Sequence, residues 1–264
     1  MALLHVNFYS RTLERETQMD VILPEAAKKL IGMEGVATRQ CRTLYLLHGM
    51  SDDQTTWQRR TSIERYAAAY GLAVVMPTTE LGWYTDMYRG EKYFTFITRE
   101  LPAVCRDLFP MMSPRREDTY VAGLSMGGYG ALKCALRAGD VFSRGASLSG
   151  AADSRQLPPG GYWEDVFGPR EQIPGSFNDL FAAAEELPPE KRPPLFDPAL
   201  RPRVYMWCGT EDSLLPGNRA LRDHLLALGY ELAYAESAGN HAWQWWDLHI
   251  QDVLRWLFPQ TEVK

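Results

Sequence analysis

The 264-residue chain has little cysteine and little histidine, four of the first and five of the second. Cys41, Cys105, Cys134 and Cys208 match no zinc or redox spacing, and the histidines form no HExxH or similar pair. No metal site and no cofactor are expected, and the thiols are expected to be free and buried in a reducing, cytoplasmic compartment. No apolar run approaches the roughly 20 residues needed to span a bilayer. The opening Met1–Phe8 stretch has no basic start and is too short for the core of an export signal. Lys and Arg form no block and the net charge is −5, which argues against a nucleic-acid surface. There are no internal repeats and no low-complexity runs.

What remains is an ordinary globular composition, 45% hydrophobic and 23% charged, with strand and helix patterns in alternation. His5–Ser10 and Thr17–Leu23 alternate around a polar turn and predict a hairpin. A linker with Gly32 and Gly35 precedes a fully apolar strand, Thr43–Leu47. A helix is predicted over Trp57–Tyr70, closed by Gly71, and then a buried strand over Leu72–Met76. The aromatic stretch Thr78–Glu91 is irregular. Tyr93–Phe109 reads as a helix interrupted near Pro102. Strand Thr119–Ala122, helix Met126–Ala138 and strand Ala146–Leu148 follow. Ten of the seventeen prolines fall between Ala151 and Pro202; a short helix is expected near Asn178–Glu186, and the remainder cannot hold long regular elements. It reads as a lid or insertion, 151–202, within a single domain of 1–264. Strand Arg203–Cys208, helix Asn218–Leu228, strand Glu231–Glu236 and helix Trp243–Phe258 complete the chain. Such alternation predicts an α/β fold: a mostly parallel central sheet, an N-terminal antiparallel hairpin, and helices on both faces.

The chemistry is written in Gly123-Leu124-Ser125-Met126-Gly127, a Gly-x-Ser-x-Gly run between a predicted strand and a predicted helix. In that context the run is a nucleophile elbow, whose glycines let neighbouring backbone pass close to a serine on a strained turn. A serine nucleophile needs a base, and the base needs an orienting carboxylate. Asp212 and His241 follow Ser125 in the α/β-hydrolase order, 87 and 29 residues further on, each on a loop after a predicted strand. Glu211 competes with Asp212 for the acid. An oxyanion hole is expected from the N–H of Met126 and from the loop after the first apolar strand, through Met50 or alternatively Gly49, with His48 bracing that loop. Trp57, Trp83, Tyr84, Trp163 and Trp245 are candidate substrate walls, each with core packing as the alternative. Tyr162 and Phe167 in the insertion either contact substrate or anchor the segment. His224 and His249 fall within predicted helices and read as packing or surface residues.

Three blocks carry a family resemblance: Leu46-Leu47-His48-Gly49-Met50 with Trp57; Gly123 to Ala131; and Gly239-Asn240-His241-Ala242-Trp243 with Trp245-Trp246-Asp247. Phe8-Tyr9-Ser10 and Trp83-Tyr84-Thr85-Asp86 add to it. Over essentially its whole length the chain resembles the esterase D / tributyrin-esterase group of α/β-hydrolases, itself similar to the carbohydrate esterases that include feruloyl and acetylxylan esterases. S-formylglutathione hydrolases of this group usually carry a cysteine after the oxyanion glycine and an Asp-His-Ser at the base. Here the loop reads Met50-Ser51-Asp52-Asp53-Gln54-Thr55 and the base Asn240-His241-Ala242. The resemblance implies a serine carboxylesterase for short acyl or aryl esters, or a feruloyl or acetyl carbohydrate esterase acting on plant polysaccharide side chains, with S-formylglutathione hydrolase as a lesser alternative. A catalytically silent hydrolase fold used for binding is the alternative from another class. The expected partner is a small-molecule ester, an acylated or feruloylated oligosaccharide being one form of it. Neither nucleic acid nor a membrane is expected, and a homo-oligomer is allowed.

Overall fold

In the computed structural model, residues 1–25, 40–185 and 200–259 are described. Eight strands form one sheet in the order β1-β2-β4-β3-β5-β6-β7-β8. β1 (Ala2–Ser10) and β2 (Arg15–Leu23) make the predicted antiparallel hairpin, and β2 joins the sheet antiparallel to β4 (Ala73–Pro77). From β4 onward, β3 (Thr43–Leu47), β5 (Thr119–Leu124), β6 (Arg144–Leu148), β7 (Arg203–Gly209) and β8 (Leu232–Ser237) all run parallel.

β3, β4 and β5 are buried at every position, as their unbroken apolar runs require when helices cover both faces. Successive side chains feed opposite cores. Tyr45, Leu47, Val75 and Val121 enter one, with Ile97, Leu101, Leu132, Leu221 and Leu225. Leu44, Leu46, Val74 and Ala122 enter the other, with Ile63, Ala67, Ile250, Val253 and Leu254.

The helix predicted over Trp57–Tyr70 is instead two, α1 (Thr56–Arg60) and α2 (Ile63–Ala68). The break at Thr61–Ser62 is held from outside: Asp247 accepts the Ser62 N–H at 3.2 Å and the Tyr66 hydroxyl at 3.0 Å. α3 (Tyr93–Thr95), a wider turn over Phe96–Glu100 and α4 (Leu101–Leu108) make up the expected helix, and its restart falls at Pro102. Pro102 sits in the first turn of α4, where its missing N–H costs least. The Glu100 carboxylate accepts bonds from the Ser10 hydroxyl and the Arg11 and Thr12 N–H groups, tying the wide turn to the hairpin. α5 (Met126–Arg137) starts at the elbow, and α8 (Leu215–Ala227) and α9 (Trp243–Leu257) flank the last two strands.

The segment after β6 carries α6 (Gly161–Phe167) and α7 (Leu180–Ala184). Val166, Phe167, Ile173 and Leu180 join the core above α5. Gly32 and Gly35, Glu186 and the insertion prolines at 188, 189, 193, 194 and 198 lie outside the described residues. All four cysteines are buried and unpaired. Among the described residues no helix is long and apolar enough to cross a membrane, and no group of three His, Cys, Asp or Glu could hold a metal ion.

Candidate active site

Ser125 stands between β5 and α5 with φ 52° and ψ −117°, a conformation that costs a non-glycine residue about 1–3 kcal/mol unless its surroundings impose it. They do. The Ser125 N–H donates to Leu148 O at 3.0 Å, and its carbonyl accepts the N–H groups of Tyr129 and Ala151 at 3.1 and 3.2 Å. Strand and helix cross so closely that a Cβ on Gly123 would lie 2.3 Å from Gly127 O. One on Gly127 would lie 2.4 Å from Leu47 O, on the end of β3. Both positions therefore require glycine.

Asp212 and His241 arrive on the loops after β7 and β8. His241 Nδ1 is 2.8 Å from Asp212 Oδ2, and His241 Nε2 is 2.9 Å from Ser125 Oγ. With Nδ1 donating to the carboxylate, Nε2 is left to accept the serine proton. The Asp212 side chain is fully buried. Burial pushes its pKa up, but the bonds from His241 and from the Leu214 N–H outweigh it and hold the carboxyl below its ordinary value. The edge of the site is open, since the His241 side chain is 36% exposed. Trp246 packs on the imidazole at 4.9 Å with the rings nearly perpendicular. Glu211 is exposed and its carboxylate turns to the Gly239 N–H, not to His241.

The loop after β3 is braced by His48. Its Nε2 accepts the Thr79 N–H at 3.0 Å, so Nδ1 carries the proton and donates to Gly49 O at 2.8 Å. Burial lowers the His48 pKa to about 4, so the ring stays neutral. Gly49 O also accepts the Asp52 N–H at 3.2 Å. Fixing that carbonyl fixes the planar trans peptide, so the Met50 N–H points the opposite way. Among the described residues neither the Met50 nor the Met126 N–H has a protein hydrogen-bond partner; the latter is a first-turn helix amide with no carbonyl behind it. Gly49 lies against the nucleophile, since a Cβ there would be 3.8 Å from Ser125 Cβ.

The aromatic candidates separate. Trp57 is buried on the α9 side, its indole N–H donating to Leu47 O at 2.9 Å. Tyr84 is also fully buried; its hydroxyl donates to His48 O at 2.9 Å and its ring presses on Gly130. Both are braces beneath the loops, not walls. Trp83 joins Tyr129, Trp163 and Phe167 in one cluster, with ring centroids 5.3–5.8 Å from its own. Trp163 and Tyr162 are half-buried, and Tyr162 donates its hydroxyl to Leu81 O. Tyr129 lies one helical turn beyond Ser125, which puts this cluster beside the elbow. Trp245 covers Gly239 and donates to Asn240 Oδ1 at 3.1 Å, supporting the His241 loop. His249 stacks on Trp207 at 3.9 Å, and His224 Nε2 donates to Phe181 O at 3.1 Å; both are packing groups. Sequence reasoning missed the Trp246 contact with His241 and the Glu211 contact with Gly239. The Trp-Trp pair four to five residues after the histidine was the only signal for the first.

Residues 10–257 match the esterase family described as "Putative esterase". An acetyl esterase of Caldicellulosiruptor saccharolyticus is 32% identical, over 97% of this chain and 98% of that protein. Two Staphylococcus aureus structures are each 30% identical and cover 97% of this chain and 98% of theirs. One is the fluorophosphonate-binding serine hydrolase FphF, TM-score 0.83; the other is the S-formylglutathione hydrolase FrmB, TM-score 0.80. With a family match across nearly its whole length and an α/β-hydrolase sheet beneath it, the chain belongs to this esterase family and is a serine carboxylic ester hydrolase.

Proposed function

We propose that Ser125, His241 and Asp212 are the catalytic triad, that the Met50 and Met126 N–H groups form the oxyanion hole, and that the substrates are short acyl esters. The observation that carries the reading is the unbroken chain Ser125 Oγ–His241 Nε2 at 2.9 Å and His241 Nδ1–Asp212 Oδ2 at 2.8 Å.

In this reading Ser125 Oγ attacks the ester carbonyl while its proton passes to His241 Nε2. The buried Asp212 carboxylate stabilises the imidazolium, and the two amides bind the oxyanion. Collapse expels the alcohol, which takes the proton from His241. Water, deprotonated by the same imidazole, then attacks the acyl-enzyme and frees the acid and Ser125. The acetyl esterase relative supports a short acyl group. Trp163, half-buried and packed on the buried rings of Trp83 and Phe167, favours a second reading, an aryl acyl group such as ferulate on an oligosaccharide.

The two readings separate on a panel of p-nitrophenyl acetate, butyrate and octanoate, methyl ferulate and S-formylglutathione. The short-acyl reading predicts the highest kcat/KM for acetate or butyrate. A preference for methyl ferulate moves the assignment to the second reading, and a preference for S-formylglutathione overturns both.

A further inference from the structure

We propose that Glu211 is a positioning residue for His241, a role that rests on the esterase reading above. β7 and β8 pair in parallel through Gly209 and Ser237, and their loops stay paired beyond the strand ends. The Thr210 N–H donates to Ser237 O at 2.8 Å, and the Glu211 N–H donates to Gly239 O at 2.9 Å. The Glu211 side chain then folds back, and its Oε2 accepts the Gly239 N–H at 3.0 Å. Both backbone polar groups of Gly239 are thus held by one residue. The second oxygen, Oε1, accepts the Thr210 hydroxyl at 3.0 Å, which fixes the carboxylate plane.

Gly239 is the place where this matters. Its φ is 153°, and its carbonyl lies so close to β7 that a Cβ on Gly209 would come within 2.1 Å of it. A residue with glycine's freedom stands two positions before the base, and a loop without a side chain has few other ways to be held. A carboxylate acceptor on an N–H is among the stronger hydrogen bonds available. Asp212 follows Glu211 directly, so the Glu211–Gly239 ring joins the acid loop to the base loop. The 2.8 Å contact between Asp212 and His241 spans the same two loops. Glu211 touches no reacting atom; it sets where His241 stands.

The test compares Glu211→Ala, Glu211→Gln and the unmodified protein on p-nitrophenyl acetate. Misplacing a catalytic group costs up to about 100-fold, so Glu211→Ala is expected to lower kcat by roughly 10- to 100-fold with KM unchanged. The rate of fluorophosphonate labelling at Ser125 falls in parallel. Glu211→Gln keeps a carbonyl acceptor and restores kcat close to that of the unmodified protein. Hydrogen exchange at the Gly239 amide is faster in Glu211→Ala and not in Glu211→Gln. Unchanged kcat in Glu211→Ala overturns the proposal, and so does equal loss in both variants, which would make the charge and not the acceptor the cause. If the unmodified protein neither cleaves esters nor labels at Ser125, it is the esterase reading that fails. The Gly239 exchange rate then judges the Glu211 contact by itself, and an unchanged rate overturns it.

Discussion

The loops after β3, β5, β7 and β8 and the segment after β6 border the same site but are built by different means. The first are held at their peptide groups. Gly123, Gly127 and Gly209 admit neighbouring main chain at distances no Cβ allows, and the peptide groups of Ser125, Gly49 and Gly239 are tied down by other main chain and, at the last two, by the His48 and Glu211 side chains. The second is held by side chains from one stripe of α5. Tyr129 donates to Asn178 O at 2.7 Å, Lys133 to Asn178 Oδ1 at 2.5 Å, and Arg137 to Ser176 O at 3.2 Å. These residues are four apart and so share a helix face. On the proposed reading the chemistry sits on tightly placed peptide groups, and the wall proposed to distinguish one ester from another sits on side chains, where it can vary without disturbing the elbow. Substitutions on the two sides should therefore fail in different ways.

The largest loss is expected on the backbone-held side. Asp212→Asn keeps the fold and lowers kcat by about 10⁴, because His241 loses the acceptor that sets its tautomer. Steady-state kinetics with circular dichroism check this, and Glu211→Gln should be far milder. A reversed ranking would make Glu211 the acid.

His48→Leu should rank next. It releases Gly49 O and strands the Thr79 N–H, so the Met50 amide loses its aim; removing one oxyanion donor costs about 10²–10³ in kcat. Loss of stability with kcat intact would remove the Met50 amide from the site. On the other side of the comparison, Trp163→Ala should leave small organophosphates reactive at Ser125 and change only the ranking of short against bulky esters. An unchanged ranking with a lowered Tm would make Trp163 an anchor.

The smallest effect concerns Lys133. It is fully buried, with its Nζ 5.2 and 5.3 Å from the Phe94 and Phe177 ring centroids, and burial lowers its pKa to about 7. Unfolded lysine titrates near 10.5. Between those values the unfolded chain binds the extra proton, so this group makes stability rise with pH from about 7 upward and contributes no slope below it. Denaturant melts should show that slope in the unmodified protein and its absence in Lys133→Met. Parallel profiles would contradict the assignment.

The elbow could be read in the sequence because its constraint is local: a strained serine needs glycine two residues to either side. The places of Asp212 and His241 could be read because each follows a strand at the edge where that serine must stand. The hairpin and the parallel core strands followed from alternation and from unbroken apolar runs. Trp57 and Tyr84 were harder, since a residue's distance along the chain does not say which face of the sheet its side chain enters. The break between α1 and α2 is held in part by Asp247, 185 residues away from Ser62, and in part by Thr61, whose hydroxyl accepts the Ile63 N–H, and the distant half of that bracing could not be read from the sequence. The role of Glu211 was hidden for a related reason, because its partner is a backbone amide that no residue type marks.

Mass spectrometry after fluorophosphonate treatment shows directly whether Ser125 is the nucleophile. A single adduct is expected on the peptide containing Ser125, absent in a normally folded Ser125→Ala variant that has lost esterase activity. An adduct on another serine, or an active Ser125→Ala protein, would contradict that assignment.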